Sequence, residues 1–142
     1  MKILLAVDGS KYSLDAVQSL IVHADWYREK PVVELVTVHL PIPKLPRMGL
    51  VVGRNQIRRY YEGEGEARLA AAKKKLNAAG IEYKAQVLVG QIAESIVGHA
   101  AKNRCDLVFI GTHGRTAAGN MLLGSTATTV LHISKTPVLL VR

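Results

Sequence analysis

Residues 107–114 read Leu-Val-Phe-Ile-Gly-Thr-His-Gly. The first four are apolar without alternation, as expected of a strand buried on both faces of a parallel sheet. The run then stops on Gly111 and, three residues later, Gly114. Glycine permits backbone shapes and close approaches that a Cβ would block. Further on, Gly124, Ser125 and Thr126 open a short helical pattern carried by Ala127, Val130, Leu131 and Ser134.

Similar apolar runs lie on either side, at residues 2–8, 32–40, 82–89 and 137–141. Helical stripes separate them. Ala16, Leu20, Ala24 and Tyr27 make the first, with Ser10 or Ser13 as its cap. Leu69, Ala72, Leu76 and Ala79 make the second, closed by Gly80. Ile92, Ile96 and Ala100 make the third. Strict alternation of strand and helix predicts an α/β chain: a Rossmann-like open five-stranded parallel sheet with helices on both faces. Residues 41–53 break the rhythm with Pro41, Pro43 and Pro46. They cannot form a regular helix, and read equally as a lid or partner segment and as a surface connection.

The length of 142 residues suits one domain spanning 1–142. With 49% hydrophobic and 21% charged residues the composition is that of a globular protein. No apolar run reaches the length of a bilayer span. The opening run ends at Asp8 after Ile3 to Val7, too short for a signal sequence, so the expected location is cytoplasmic. The single cysteine, Cys105, excludes an internal disulfide and reads as a buried structural thiol. A net charge of +8 favours acidic partners, whether nucleotide, nucleic acid or anionic membrane, without choosing among them.

In an open α/β sheet, ligands bind beyond the carboxyl ends of the strands where the strand order reverses. The ends of the first and fourth strands are expected to flank that point. The first ends in Val7-Asp8-Gly9-Ser10. Asp8 reads either as a group that accepts hydrogen bonds from a ribose or adenine or helps hold a metal ion, or as a cap of the first helix. The fourth ends in the Gly111–Gly114 turn, and the helix opened by Gly124-Ser125-Thr126 turns free N–H groups and its positive dipole end outward. A phosphate chain gripped from both sides is one reading of this arrangement; an ordinary turn with a serine cap is the other. No Gly-Lys dipeptide exists, so a P-loop is excluded, and Gly63-Glu-Gly65 lacks the third glycine of a dinucleotide fingerprint.

Taken together, Gly111-x2-Gly114-x9-Gly124-Ser125 resembles the ATP-binding signature of the universal stress protein family. The opening Ile3-Leu-Leu-Ala-Val-Asp8-Gly-Ser10 and the closing Thr136-Pro-Val-Leu-Leu-Val-Arg142 resemble that family's first and last strands. The resemblance covers the chain apart from residues 41–53. It implies an ATP-binding regulatory module of the stress response, with Mg2+ or Mn2+ accompanying the nucleotide. It implies that Asp8 faces the adenosine or the metal, and that Leu40 packs on the adenine with Val7 and Val38 nearby. Gly111, Gly114, Gly124 and Ser125 would bind the phosphates, with Thr126 in addition. It also implies a homodimer through Val138–Val141, and a protein partner of unknown identity.

Other chemistries have less behind them. His23, His39, His99, His113 and His132 show no metal-ligand spacing, and a Ser125–His113–Asp8 triad lacks a nucleophile elbow. Arg54, Arg58 and Arg59 beside Tyr60 and Tyr61 suit single-stranded nucleic acid, but read first as the solvated face of a helix start. In the loop, Arg115 reads equally as a group that neutralises phosphate charge and as a solvated arginine, and His113 reads first as a surface histidine and second as a phosphate contact. No catalytic residue is assigned. The alternative to a switch is a slow metal-dependent ATPase or phosphotransferase in which Asp8 holds the metal or orients water; nucleic-acid binding ranks below both.

Overall fold

The computed structural model describes residues 1–43, 53–114 and 123–142. Five strands, β1 (Lys2–Ala6), β2 (Val32–His39), β3 (Tyr83–Val89), β4 (Leu107–Gly111) and β5 (Val138–Val141), form one sheet in the order β3-β2-β1-β4-β5. Every pairing is parallel, with Ile3 opposite Val33 on one side and Leu107 on the other. Helices α1 (Lys11–Val22), α2 (Arg54–Ala78), α3 (Ile92–Lys102) and α4 (Ser125–Ile133) supply the crossovers. The expected architecture is the one observed, and the strand order reverses between β1 and β4. Among the described residues, no helix is long and apolar enough to cross a membrane.

The continuous apolar runs follow from burial on both faces. Ile3, Leu5, Val33, Leu35 and Phe109 pack beneath Ala16, Val17 and Leu20 of α1 and Leu69, Ala72 and Leu76 of α2. Their strand neighbours Leu4, Ala6, Val36, Val38, Val108 and Ile110 pack against Ala93, Ile96 and Ala100 of α3 and Val130 of α4. β3 is an edge strand whose residues are only partly buried, which accounts for its weaker pattern.

Helix ends depart from the sequence reading in one place. The stripe through Ala24 and Tyr27 overshoots: α1 stops at Val22, His23 caps it, and Ala24–Trp26 form a 3-10 turn. At its other end Ser10 is the cap, its Oγ accepting the Ser13 N–H at 3.2 Å. Gly80 closes α2 at a φ of +62°, as expected of a left-handed C-terminal glycine. Gly63 and Gly65, which resemble part of a nucleotide motif in sequence, lie inside α2. A Cβ on Gly65 would come within 2.6 Å of a Val87 methyl carbon, so this glycine is the notch by which α2 settles onto β3.

One charge lies inside the sheet layer. Glu34 is only 2% exposed, yet it sits between Val33 and Leu35 in a strand made mostly of apolar residues. Its carboxylate meets His99 Nε2 at 3.3 Å and Lys2 Nζ at 3.8 Å, tying α3 and β1 to β2. Cys105 is buried close by. Burial, followed by the Glu34 carboxylate, pushes its thiol pKa up, which keeps it an unreactive structural thiol.

Removing His99 leaves the buried Glu34 carboxylate with the long contact to the half-exposed Lys2 in its place. His99→Leu is therefore expected to cost about 1–3 kcal/mol in a denaturant titration. Adding Glu34→Leu to that variant should restore most of the loss. A double variant no more stable than His99→Leu would show that Glu34 is not stranded.

Candidate functional site

The reversal of strand order opens a cavity of about 790 Å³ at the carboxyl ends of β1, β2 and β4. That size is ordinary for a small-ligand site. Val7, Asp8, Val38, Leu40, Gly111, Gly114, Gly124, Ser125 and Thr126 all line it. The four segments singled out in the sequence thus meet at one place, although more than a hundred residues separate Val7 from Ser125 in the chain.

Asp8 stands where β1 gives way to α1. Its Oδ1 accepts the Ser10 N–H at 2.9 Å, bracing a tight turn in which Gly9 has a φ of +79°. Ser10 caps α1, so the capping reading of Asp8 gives way to a turn-bracing one that leaves the carboxylate on the cavity wall. Ser13, itself buried, donates its hydroxyl to the Ser10 carbonyl at 2.9 Å and locks the same turn.

The loop glycines act by close approach. A Cβ on Gly114 would lie 2.9 Å from Asp8 Oδ2, one on Gly111 2.7 Å from the Tyr12 carbonyl oxygen, and one on Gly124 3.3 Å from that of Thr112. None has positive φ; among the described glycines only Gly9 and Gly80 do. Gly114 lets the β4 loop lie against the Asp8 carboxylate. Gly111 lets β4 meet the first turn of α1, and Gly124 donates its N–H to Thr112 O at 2.7 Å, joining α4 to the end of β4.

α4 begins at this junction. Its cap, Gly124, provides no side-chain hydrogen bond, and its first turn holds no acid. The Thr128 and Thr129 hydroxyls turn back onto the carbonyls of Gly124 and Ser125 at 3.1 and 2.9 Å. Ser125 and Thr126 remain on the cavity wall. An uncapped helix start with positive dipole is suited to an anion.

Other wall residues carry weaker sequence signals. Ile92 and Ile96 read as an ordinary helix stripe, and they form apolar wall as well as core. His39 is buried, as expected of a core residue, and also reaches the wall. Tyr61 lies 5.6 Å from the His39 ring, and its hydroxyl accepts the Ile42 N–H at 2.7 Å, holding the chain after β2 against α2. Tyr60 and Tyr61 therefore face this cavity. Arg58 pairs with Glu62 at 3.1 Å on the exposed helix surface. His113 tilts against Tyr12 at 5.0 Å and joins Thr112 Oγ1 through Nδ1 at 3.0 Å. Leu40 is 56% exposed beside the opening. Arg68 of α2, which no motif marks, also lines the cavity. Arg115, most of residues 41–53 and the Arg54 side chain lie outside the described residues.

Asp8 is the only carboxylate among the described wall residues, and no group of three or more His, Cys, Asp and Glu side chains that could hold a metal occurs among the described residues. That donor set does not suit a cation held by protein alone. It does suit Mg2+ or Mn2+ carried by phosphates, since such ions take one or two carboxylates beside phosphate oxygens.

This is a doubly wound α/β protein with a cavity at its switch point, and comparison with known proteins gives its family. The profile described as "Universal stress protein family" matches residues 1–142, and the chain belongs to that family. It is 32% identical to universal stress protein MJ0531 of Methanocaldococcus jannaschii over 99% of this chain and 81% of the relative. It is 28% identical to YxiE of Bacillus subtilis, covering 99% and 98%. Its fold superposes on that of hypothetical protein MJ0577 with a TM-score of 0.80 at 27% identity, covering 99% and 94%. It superposes on a universal stress protein in complex with cAMP with a TM-score of 0.70 at 25% identity, covering 100% and 97%.

The unequal clearances at the glycines lead to unequal costs. Gly111→Ala drives a methyl into the Tyr12 carbonyl and should destabilise by about 1–3 kcal/mol. Gly124→Ala should cost clearly less. Thermal denaturation of the two variants measures the difference, and equal melting temperatures would contradict it.

Proposed function

We propose that this chain is an ATP-binding regulatory module of the stress response, a single domain over residues 1–142 that takes the nucleotide with Mg2+ or Mn2+ in the cavity at the strand ends. The observation that carries this reading is the uncapped start of α4 facing the Gly111–Gly114 loop and Asp8 across one cavity. The cAMP complex of a relative with the same fold supports an adenine nucleotide as the ligand.

In this reading Gly114, Ser125 and Thr126 surround the phosphates with backbone N–H groups and hydroxyls, while Gly111 and Gly124 keep the two walls together. Val7, Val38 and Leu40 form the apolar side against the base. Asp8 accepts from the ribose or holds the phosphate-borne ion, which when bound supplies charge neutralisation at the phosphates. No general base is assigned, so occupancy and not turnover is the signal. A partner protein would read it.

The experiment is to denature freshly purified protein and identify any released nucleotide by chromatography and mass spectrometry. ATP at about one per chain is the expected result. ADP in its place would shift the reading to a slow ATPase, tested by adding fresh ATP and metal. Gly124→Val should release nothing and bind no added ATP, with its circular dichroism unchanged. Normal ATP binding by that variant would remove the assignment of the nucleotide to this cavity.

The same reading includes a homodimer through β5. This strand ends the sheet, and Leu139 is 37% exposed. An apolar edge strand is a template for pairing with another copy. Sedimentation should give twice the mass of the chain, and Leu139→Lys should return it to the monomer. A monomeric wild-type chain would end the dimer proposal.

A further inference from the structure

Arg68 stands apart among the cavity residues. It lies in the middle of α2, and three contacts fix its place. A Cβ on Gly9 would be 3.4 Å from its Cα, so the helix passes directly over the turn that carries Asp8. Nη1 donates to the carbonyl of Val38, at the end of β2, over a long 3.4 Å. One turn earlier, the Gly65 notch brings α2 down onto the sheet and sets the depth at which Arg68 arrives.

The guanidinium is poorly served there. Its Nε is shut off from solvent and has no hydrogen-bond partner among the described residues. A buried donor left unmade is costly, and more so on a charged group. Arginine carries five donors and no acceptor; with Nε enclosed, the Nη donors are those a group in the cavity can meet, and such a group must accept.

The position selects the acceptor. The phosphate-directed groups lie on the β4 loop and the start of α4, and Gly114 of that loop lies against Oδ2 of Asp8. Arg68 packs over Gly9, the residue next to Asp8, and both side chains line the same cavity. A ligand group next to both must donate to a carboxylate and accept from a guanidinium at once. A sugar hydroxyl does both through one oxygen, and a vicinal pair of hydroxyls spans both partners. A phosphate dianion cannot donate to Asp8; the amino group and neighbouring ring nitrogen of an adenine edge would serve both partners, but in the nucleotide reading the base lies flat against Val7, Val38 and Leu40.

We propose that Arg68 is a specificity-determining residue that selects ribonucleotides over deoxyribonucleotides by donating to a ribose hydroxyl beside Asp8. The inference rests on the nucleotide reading of the cavity. It assigns to α2 a role in reading the sugar, separate from phosphate binding.

The test is calorimetric titration of the wild-type chain and of Arg68→Met and Arg68→Lys with ATP, 2′-deoxy-ATP and 3′-deoxy-ATP. Methionine keeps much of the unbranched stem and removes every donor, whereas lysine keeps the charge and loses the planar fork. Wild type should bind at least one deoxy analogue about tenfold more weakly than ATP, the weight of one hydrogen bond to a charged group. The analogue that loses affinity names the hydroxyl. Arg68→Met should bring ATP and that analogue to the same affinity, with Arg68→Lys in between. A merely structural role would lower all three affinities together and leave their ratio unchanged, which would overturn the proposal while the nucleotide site stood. Equal binding of all three by wild type would overturn it as well. Failure of wild type to bind ATP at all would overturn the site reading and this inference together.

Discussion

Reversal of strand order between β1 and β4 is the constraint on which the rest of the structure depends. A right-handed crossover leaving β1 towards β2 goes to one face, and one leaving β4 towards β5 goes to the other. The two following segments part at that point, and backbone groups there have no neighbouring strand to close over them. Parallel pairing also requires a helix between successive strands, so both faces are covered and both must be apolar. The same geometry that buries Leu4 and Leu5 on opposite faces leaves a cavity at the strand ends.

What fills that opening is governed by how closely backbone can approach backbone. Gly111 lies against the first turn of α1, Gly114 against the Asp8 carboxylate, and Gly124 against the end of β4. These contacts draw two loops and a helix start into one wall. The glycines therefore have a packing role that stands whether or not a ligand is present. The uncapped start of α4 is the complementary feature: a helix end with no side-chain cap of its own, aimed where an anion can complete it.

α2 joins the two sides of this arrangement. It packs Leu69, Ala72 and Leu76 into the core, and it carries Tyr61 from its N-terminal half and Arg68 from its middle to the cavity. Its apolar stripe and its site residues belong to one face of one helix, so core packing positions the chemistry. Gly65 controls how near that face comes to the sheet.

The architecture was legible from residue order because period and length are local properties. Continuous apolar runs ending in glycine, alternating with stripes at helical spacing, allow few folds besides a parallel sheet covered on both faces. The loop glycines and the helix start that meet at the cavity were legible too, since glycines at fixed offsets and a Gly-Ser helix start are local signals, and so was the likeness to the family. Only the tertiary structure distinguished Ser10 as the helix cap from Asp8 as the brace of the turn, because the two readings differ by one hydrogen bond. Only it placed Gly63 and Gly65 inside a helix with Gly65 as its notch, and showed Glu34 inside the sheet with His99 and Lys2 as partners. Arg68 carries no signal in the chain: an arginine in a charged helix reads as solvated until a turn from the other end of the fold is packed against it. Pattern along the chain decides which elements form. Which side chains meet depends on contacts between residues far apart in sequence, and these exist only once the sheet has closed.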